Sequence, residues 1–275
     1  MFVDLLVNEI TTLYTMAPGT KGLGQISNAS VGFIGGEVVW VGAAADAPNA
    51  AEQISGKHLI GMPGLVDCHT HAVWAGSRAN EFCARLNGTH YSEILESGGG
   101  ILSTVSATRN ASLETLTSLC RQRLRGMQKR GVTTVEIKSG YGLNPEHEAK
   151  ILTAALACSD TMRVITTFLG AHTIPTEFRS NRAAYVDQII NEQIPRCASL
   201  SNFIDVYCDR GAFTLDESLA ILAAGQQAGM AVKAHAEQVE HTGIAGAAAR
   251  LGAISVEHLE RIDANGIVAL AENDV

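Results

Sequence analysis

His69 and His71 stand one residue apart at the end of an apolar run, in "GMPGLVDCHTHAVWAGSRANEF" (residues 61–82). In an extended segment side chains alternate with period two, so both imidazoles project from one face and Thr70 turns away. Two imidazoles on one face can share a cation. Zinc or iron then wants a third nitrogen or oxygen ligand, often a carboxylate, and an open position for water. His235 is the candidate third ligand: it ends "VKAH", a stretch apolar except for Lys233, and opens a loop containing Glu237 and Gln238. His258 ends "AISVEH" further on, where an imidazole could orient a metal-bound water or carry a proton. His172 in "FLGAH" and Tyr141 in "KSGYG" also fall just past strand-like runs, although a packing aromatic beside a glycine turn is an equal reading of Tyr141. Arg78 lies seven residues past His71. Its planar fork suits a substrate carboxylate, with an ordinary surface arginine as the bland alternative.

Other motifs carry less. His58, His90, His147 and His241 read as surface residues, and "HAEQVEH" lacks the H-E-x-x-H spacing of a zinc protease. "ESGGGI" at 96–101 could form an anion nest of backbone amides, but such stretches are more often plain loops. "GTKGLGQI" at 19–26 lacks the G-K-[ST] of a phosphate loop, and no G-x-G-x-x-G follows an early strand, so both nucleotide readings are discarded.

The elements that must position these residues alternate in a regular way. Residues 1 to about 60 read as short strands with glycine punctuation, including a hairpin centred on Gly35-Gly36. Beyond Gly61, strand-like runs at 64–69, 132–140, 163–172, 203–209, 231–237 and 253–258 are separated by helical stretches such as 112–130, 145–159, 180–198, 216–229 and 243–251. Serial β/α alternation predicts a parallel sheet. Most of the runs are apolar until a polar C-terminal end, finishing in His69/His71, Lys138, His172, Asp209, His235 and His258. That edge is the mouth of a (β/α)₈ TIM-type barrel, where strand ends and loops converge. The expected organisation is an α/β chain with an N-terminal β-sandwich portion (1–60) and a barrel portion (61–275) holding about six of eight strands.

The bulk numbers agree with an enzyme. The 275 residues suffice for a large core, and 20 basic against 28 acidic residues (net −8) argue against a nucleic-acid surface. The basic cluster "RQRLRGMQKR" reads as the solvated face of a helix. Six scattered cysteines suggest reduced thiols, and neither a signal peptide nor an apolar run long enough for a membrane span is present, so a cytoplasmic protein with no membrane contact is expected.

"MPGLVDCHTH" resembles the first-strand signature of the metal-dependent amidohydrolase superfamily. The longer stretch from His69 to Arg109, together with "GVTTVEIKSGYGL", "TFLGAH" and "VKAHAEQ", is similar to the imidazolonepropionase family within it, and the similarity runs from near the N-terminus to the last residue. The resemblance implies a β-sandwich and a distorted barrel, and one Zn or Fe ion per chain on His69, His71 and His235. It implies substrate contacts from Arg78, Tyr141, His172 and Gln238, with His258 positioning the hydrolytic water and Glu237 a lower-ranked proton carrier. The implied reaction is hydrolysis of 4-imidazolone-5-propanoate to N-formimino-L-glutamate, by a homodimer when complete. It further implies an eighth-strand aspartate ligand, which no residue here matches. The chain is therefore expected to be the N-terminal two-thirds of such a hydrolase. Two other readings stay open: another cyclic amidohydrolase or amidine deaminase, and an inactive fragment with weak metal binding.

Overall fold

The computed structural model describes residues 1–88, 90 and 99–275. Two compact units divide it, Met1–Leu65 and Val66–Val275. In the first, β1 (Phe2–Tyr14), β2 (Gln25–Ile34), β3 (Glu37–Ala43), β4 (Asn49–Ser55) and β5 (Ile60–Gly61) form one mixed sheet of order β3-β2-β1-β4, with β5 also on β1. The β2–β3 hairpin turns at Gly35 and Gly36, both at positive φ (59° and 83°), the conformation a tight two-residue turn demands. Its core, Ile10, Leu13 and Ala29, is small.

In the second unit the strands are β6 (Leu65–Thr70), β7 (Val132–Lys138), β8 (Arg163–Ala171), β9 (Phe203–Cys208), β10 (Ala231–Ala236) and β11 (Ser255–His258). Among the described residues they make a curled six-stranded sheet in strict sequence order, and the pairs from β7–β8 to β10–β11 are parallel. Each predicted strand run is found, with ends adjusted by a few residues. Among the described residues the helices are α1 (Ala79–Leu86), α2 (Ile101–Asn110), α3 (Leu113–Gln128), α4 (Pro145–Leu156), α5 (Arg182–Gln188), α6 (Ile194–Cys197), α7 (Leu215–Gln227), α8 (Ile244–Arg250) and α9 (Ala264–Glu272).

Local chemistry fixes the helix starts. Ser112 and Asn144 accept the N–H of Thr115 and His147, Pro145 occupies the first turn of α4, and Thr214 forms a reciprocal capping box with Glu217. The predicted helix 180–198 is interrupted: Ile189–Gln193 is a π-helical turn between α5 and α6. Pro195 explains it, since proline lacks an N–H and its ring crowds the carbonyl four residues back. Two apolar clusters pack helices on the sheet, one around Phe168, Tyr185, Ile204 and Leu222, the other around Leu116, Leu124, Ile137 and Ile151. The strands are thus held rigidly from behind, and their C-terminal ends carry the polar residues.

Candidate metal centre

His69 lies in β6, His71 just past it, and His235 near the end of β10. Their ring centroids are 4.5 Å (His69–His235), 5.8 Å (His69–His71) and 5.9 Å (His71–His235) apart. One ligand nitrogen from each lies within 4.8 Å of the others. With metal–nitrogen bonds of about 2 Å, small ring rotations suffice to close that triangle on one ion.

The second nitrogen of each ring has its own neighbour. His71 Nδ1 is 3.2 Å from the carbonyl of Ser139, so Nδ1 carries the proton and the Nε2 lone pair is free. His69 Nδ1 sits 2.9 Å from Glu257 Oε2, and His235 Nδ1 sits 2.9 Å from Asp205 Oδ2. Both contacts are short but off the N–H line, since His235 Nδ1 and Glu257 Oε2 have no aligned hydrogen-bond partner. The donor set tests the fit of a cation: three imidazole nitrogens within 4.8 Å of one another, two of the rings backed by carboxylates, are what a zinc or iron ion takes, and the arrangement fits.

Beneath the imidazoles is a charged layer of which the sequence reading picked out Lys138, as a polar strand end, and Lys233, but not the carboxylates of Glu136, Asp205 and Glu257. Glu136 and Lys138 share one face of β7, and Lys233 and His235 share one face of β10, each pair two residues apart. Lys138 is fully buried, with Nζ 2.8 Å from Glu136 Oε1, Asp205 Oδ2 and Glu257 Oε2. Lys233 Nζ pairs with Glu136 Oε2 and lies 2.8 Å from Glu257 Oε1. Burial opposes the Lys138 charge, but Asp205, Glu136 and Glu257 outweigh it and lift the ammonium pKa above its ordinary value. Burial works against the Glu257 carboxylate as well, yet His69 and Lys138 hold it down to about 2.

The other predicted site residues group as follows. His172 stacks on His71 with centroids 4.8 Å apart and planes 12° from parallel, and its Nδ1 is 3.0 Å from the Gly140 carbonyl. Burial, then His235, holds its pKa down to about 4, so it is a neutral ring offering Nε2 as acceptor. Tyr141 lies 5.4 Å from the ring of His71 and 5.5 Å from that of His172, and burial raises its phenol. Its loop is clamped by the buried Glu148, which accepts the N–H of Gly140, Gly142 and Leu143 at 2.9, 2.7 and 2.6 Å. Arg78 is exposed, pairs with Glu81 at 2.8 Å, and acts electrostatically on Tyr141. His258 is 5.2 Å from both His69 and His235 and adopts φ +77°. Gln238 is half-buried, its N–H bound to Asp209, which also accepts from Arg210, Val239 and Glu240 and so shapes this loop.

Glu237 is brought to the neighbourhood but not to the cluster. Its oxygens engage His241 and the Ala245 N–H of α8, so His241 is tied to a buried carboxylate rather than free on the surface. Of "ESGGGI", residues 96–98 lie outside the described ones. Beside His172 and Tyr207 opens a cavity of about 590 Å³ with Ile174, Arg179, Arg182 and Arg210 in its wall.

The chain covers 98% of its length on two solved structures. One is an amidohydrolase from an environmental sample of the Sargasso sea (TM-score 0.63, 15% identity, 62% of that chain). The other is A. niger ochratoxinase (TM-score 0.61, 16% identity, 63% of that chain). The fold is accordingly that of the amidohydrolase-type barrels. No protein-family model matches the chain. Against the imidazolonepropionase of Shewanella pealeana it is 46% identical over 274 residues, 94% of this chain and 66% of that protein. It belongs to the imidazolonepropionase family, and spans 66% of the length of that relative.

Proposed function

We propose that this chain provides the metal-binding part of a hydrolase that opens the ring of 4-imidazolone-5-propanoate to N-formimino-L-glutamate. The observation that carries the reading is the convergence of His69, His71 and His235 within 4.8 Å, in a sequence 46% identical to an imidazolonepropionase. A bound zinc or iron ion would supply a Lewis acid that polarises the lactam carbonyl and lowers the pKa of a water to about 7.

The chain's own residues do the rest. His172, neutral with Nδ1 bound to Gly140, accepts a substrate N–H at Nε2. Tyr141 packs over the same rings and excludes water from one side. Arg78 binds the propanoate tail as a bidentate fork once it exchanges Glu81 for substrate, which orients the ring and rejects analogues lacking the carboxylate. Gln238 donates from the loop that Asp209 holds. His258, next to His69 and His235, holds and returns the proton that the leaving amide nitrogen needs. Glu237 ranks below it, because both its oxygens are engaged elsewhere.

The test is loss of 4-imidazolone-5-propanoate by the purified chain loaded with Zn²⁺ or Fe³⁺, beside His235→Ala. Metal-dependent turnover that His235→Ala abolishes supports the reading, and metal analysis of the active form decides between zinc and iron. A folded, metal-loaded chain without turnover leaves the second reading, a metal-binding piece inactive by itself, which the 66% span of the relative favours.

A further inference from the structure

A second group of potential ligands shares His235 with the first: Asp205, His235 and Glu257 also place ligand atoms within 4.8 Å of one another. The place such a trio would offer a second ion is already filled. Lys138 Nζ lies 2.8 Å from Asp205 Oδ2, Glu257 Oε2 and Glu136 Oε1, so three carboxylates surround its three N–H donors. Asp205 and Glu257 in turn are the carboxylates 2.9 Å from Nδ1 of His235 and His69. Asp205 Oδ1 also accepts the His235 backbone N–H at 3.0 Å. Three carboxylates against two ammonium groups leave this buried layer one negative charge in excess, facing the imidazoles. A layer of this kind is costly to bury and is no better for stability than apolar packing, whereas carboxylates that orient ligating imidazoles are a recurrent requirement of metal sites.

We propose that Lys138 is a positioning residue: its ammonium takes the place of a second cation among Glu136, Asp205 and Glu257, and through the last two it fixes His69 and His235 with Nε2 toward a single metal ion. The inference rests on the reading of His69, His71 and His235 as the ligands. It also supplies an internal control, because His71 takes its tautomer from the Ser139 carbonyl and not from this layer.

The experiment uses the 275-residue chain as wild type and Lys138→Met, measuring Zn²⁺ affinity by competition with a chelating dye and the metal-free histidine rings by ¹⁵N NMR. The expected result is a Zn²⁺ affinity lowered about 10- to 100-fold. His69 and His235 should lose their single Nδ1–H tautomer while His71 keeps its own. A folded Lys138→Met with Zn²⁺ affinity within threefold of wild type, or with all three rings disturbed alike, overturns the proposal. Should Lys138→Met fail to fold, Glu257→Gln decides: loss of the His69 tautomer alone with weakened Zn²⁺ binding supports it, and unchanged rings and affinity overturn it. If the wild type binds no Zn²⁺, the proposed function fails, while the metal-free spectra still judge the role of Lys138.

Discussion

Gly140→Ala is expected to damage the chain twice over, and the two costs can be separated. Gly140 sits at φ +105°, a conformation L side chains rarely adopt. A Cβ there would lie 2.7 Å from His172 Nδ1, 3.0 Å from His172 Cβ and 3.0 Å from the Leu169 carbonyl oxygen. Two of these three atoms belong to backbone or to a Cβ, so they cannot swing aside without moving β8. Backbone strain costs about 1–3 kcal/mol and overpacking about 1–3 kcal/mol more. The His172 Nδ1 contact with the Gly140 carbonyl is displaced as well, worth roughly 1 kcal/mol. The expected total is about 3–7 kcal/mol. Gly211→Ala serves as control, because Gly211 has φ +82° with nothing within 4 Å of the added carbon. It should show the backbone part alone. Urea unfolding of both variants reads the difference, expected at about 2 kcal/mol or more. Equal losses would refute the reasoning that the loop of Gly140 is packed tightly enough to fix His172 against His71.

Three further outcomes follow from the same geometry. The His172 pKa near 4 lies below the ordinary value of 6.5, so the unfolded chain binds the proton more tightly. Stability contributed by its neutral ring should be full above about pH 6.5 and fall by about 3 kcal/mol as the pH drops to 4. The acid slope of the urea midpoint should flatten in His172→Gln, and an unchanged slope would contradict it. Thr214→Ala removes the capping box of α7 and should cost about 1 kcal/mol by thermal or urea unfolding. Tyr185→Phe deletes the buried hydroxyl that donates to the Gly170 carbonyl at 2.8 Å and should cost about 1–2 kcal/mol, with the helix signal unchanged.

What could be read from the sequence was whatever repeats locally. Apolar runs ending in a polar residue mark β6 to β11, and period two alone puts His69 and His71 on one face. The helix around 180–198 was legible except at Pro195, where a single missing N–H turns Ile189–Gln193 into a π turn. α9 carried a signal that went unused: Asp263 caps it by accepting the Gly266 N–H at 2.7 Å. The charged layer was hidden for a different reason. Asp205 and Lys233 each look like one stray charge in a largely apolar strand, Glu136 and Lys138 like a pair on one face of β7, and Glu257 like the neighbour of His258, and most of their partners are set by register between strands far apart in sequence. His235 is level with Glu257 across β10–β11 and with Tyr207 across β9–β10, and Asp205 stands two residues before Tyr207 on the same face. Register of this kind cannot be read from any one strand. A strand that places a charge two residues before or beside a candidate ligand is nevertheless a usable signal, because an unpaired buried charge costs too much to persist. Lys233, two residues before His235, and Glu257, level with His235, meet that criterion and lie 2.8 Å apart, so their pairing is a requirement of the fold before it is a property of the site.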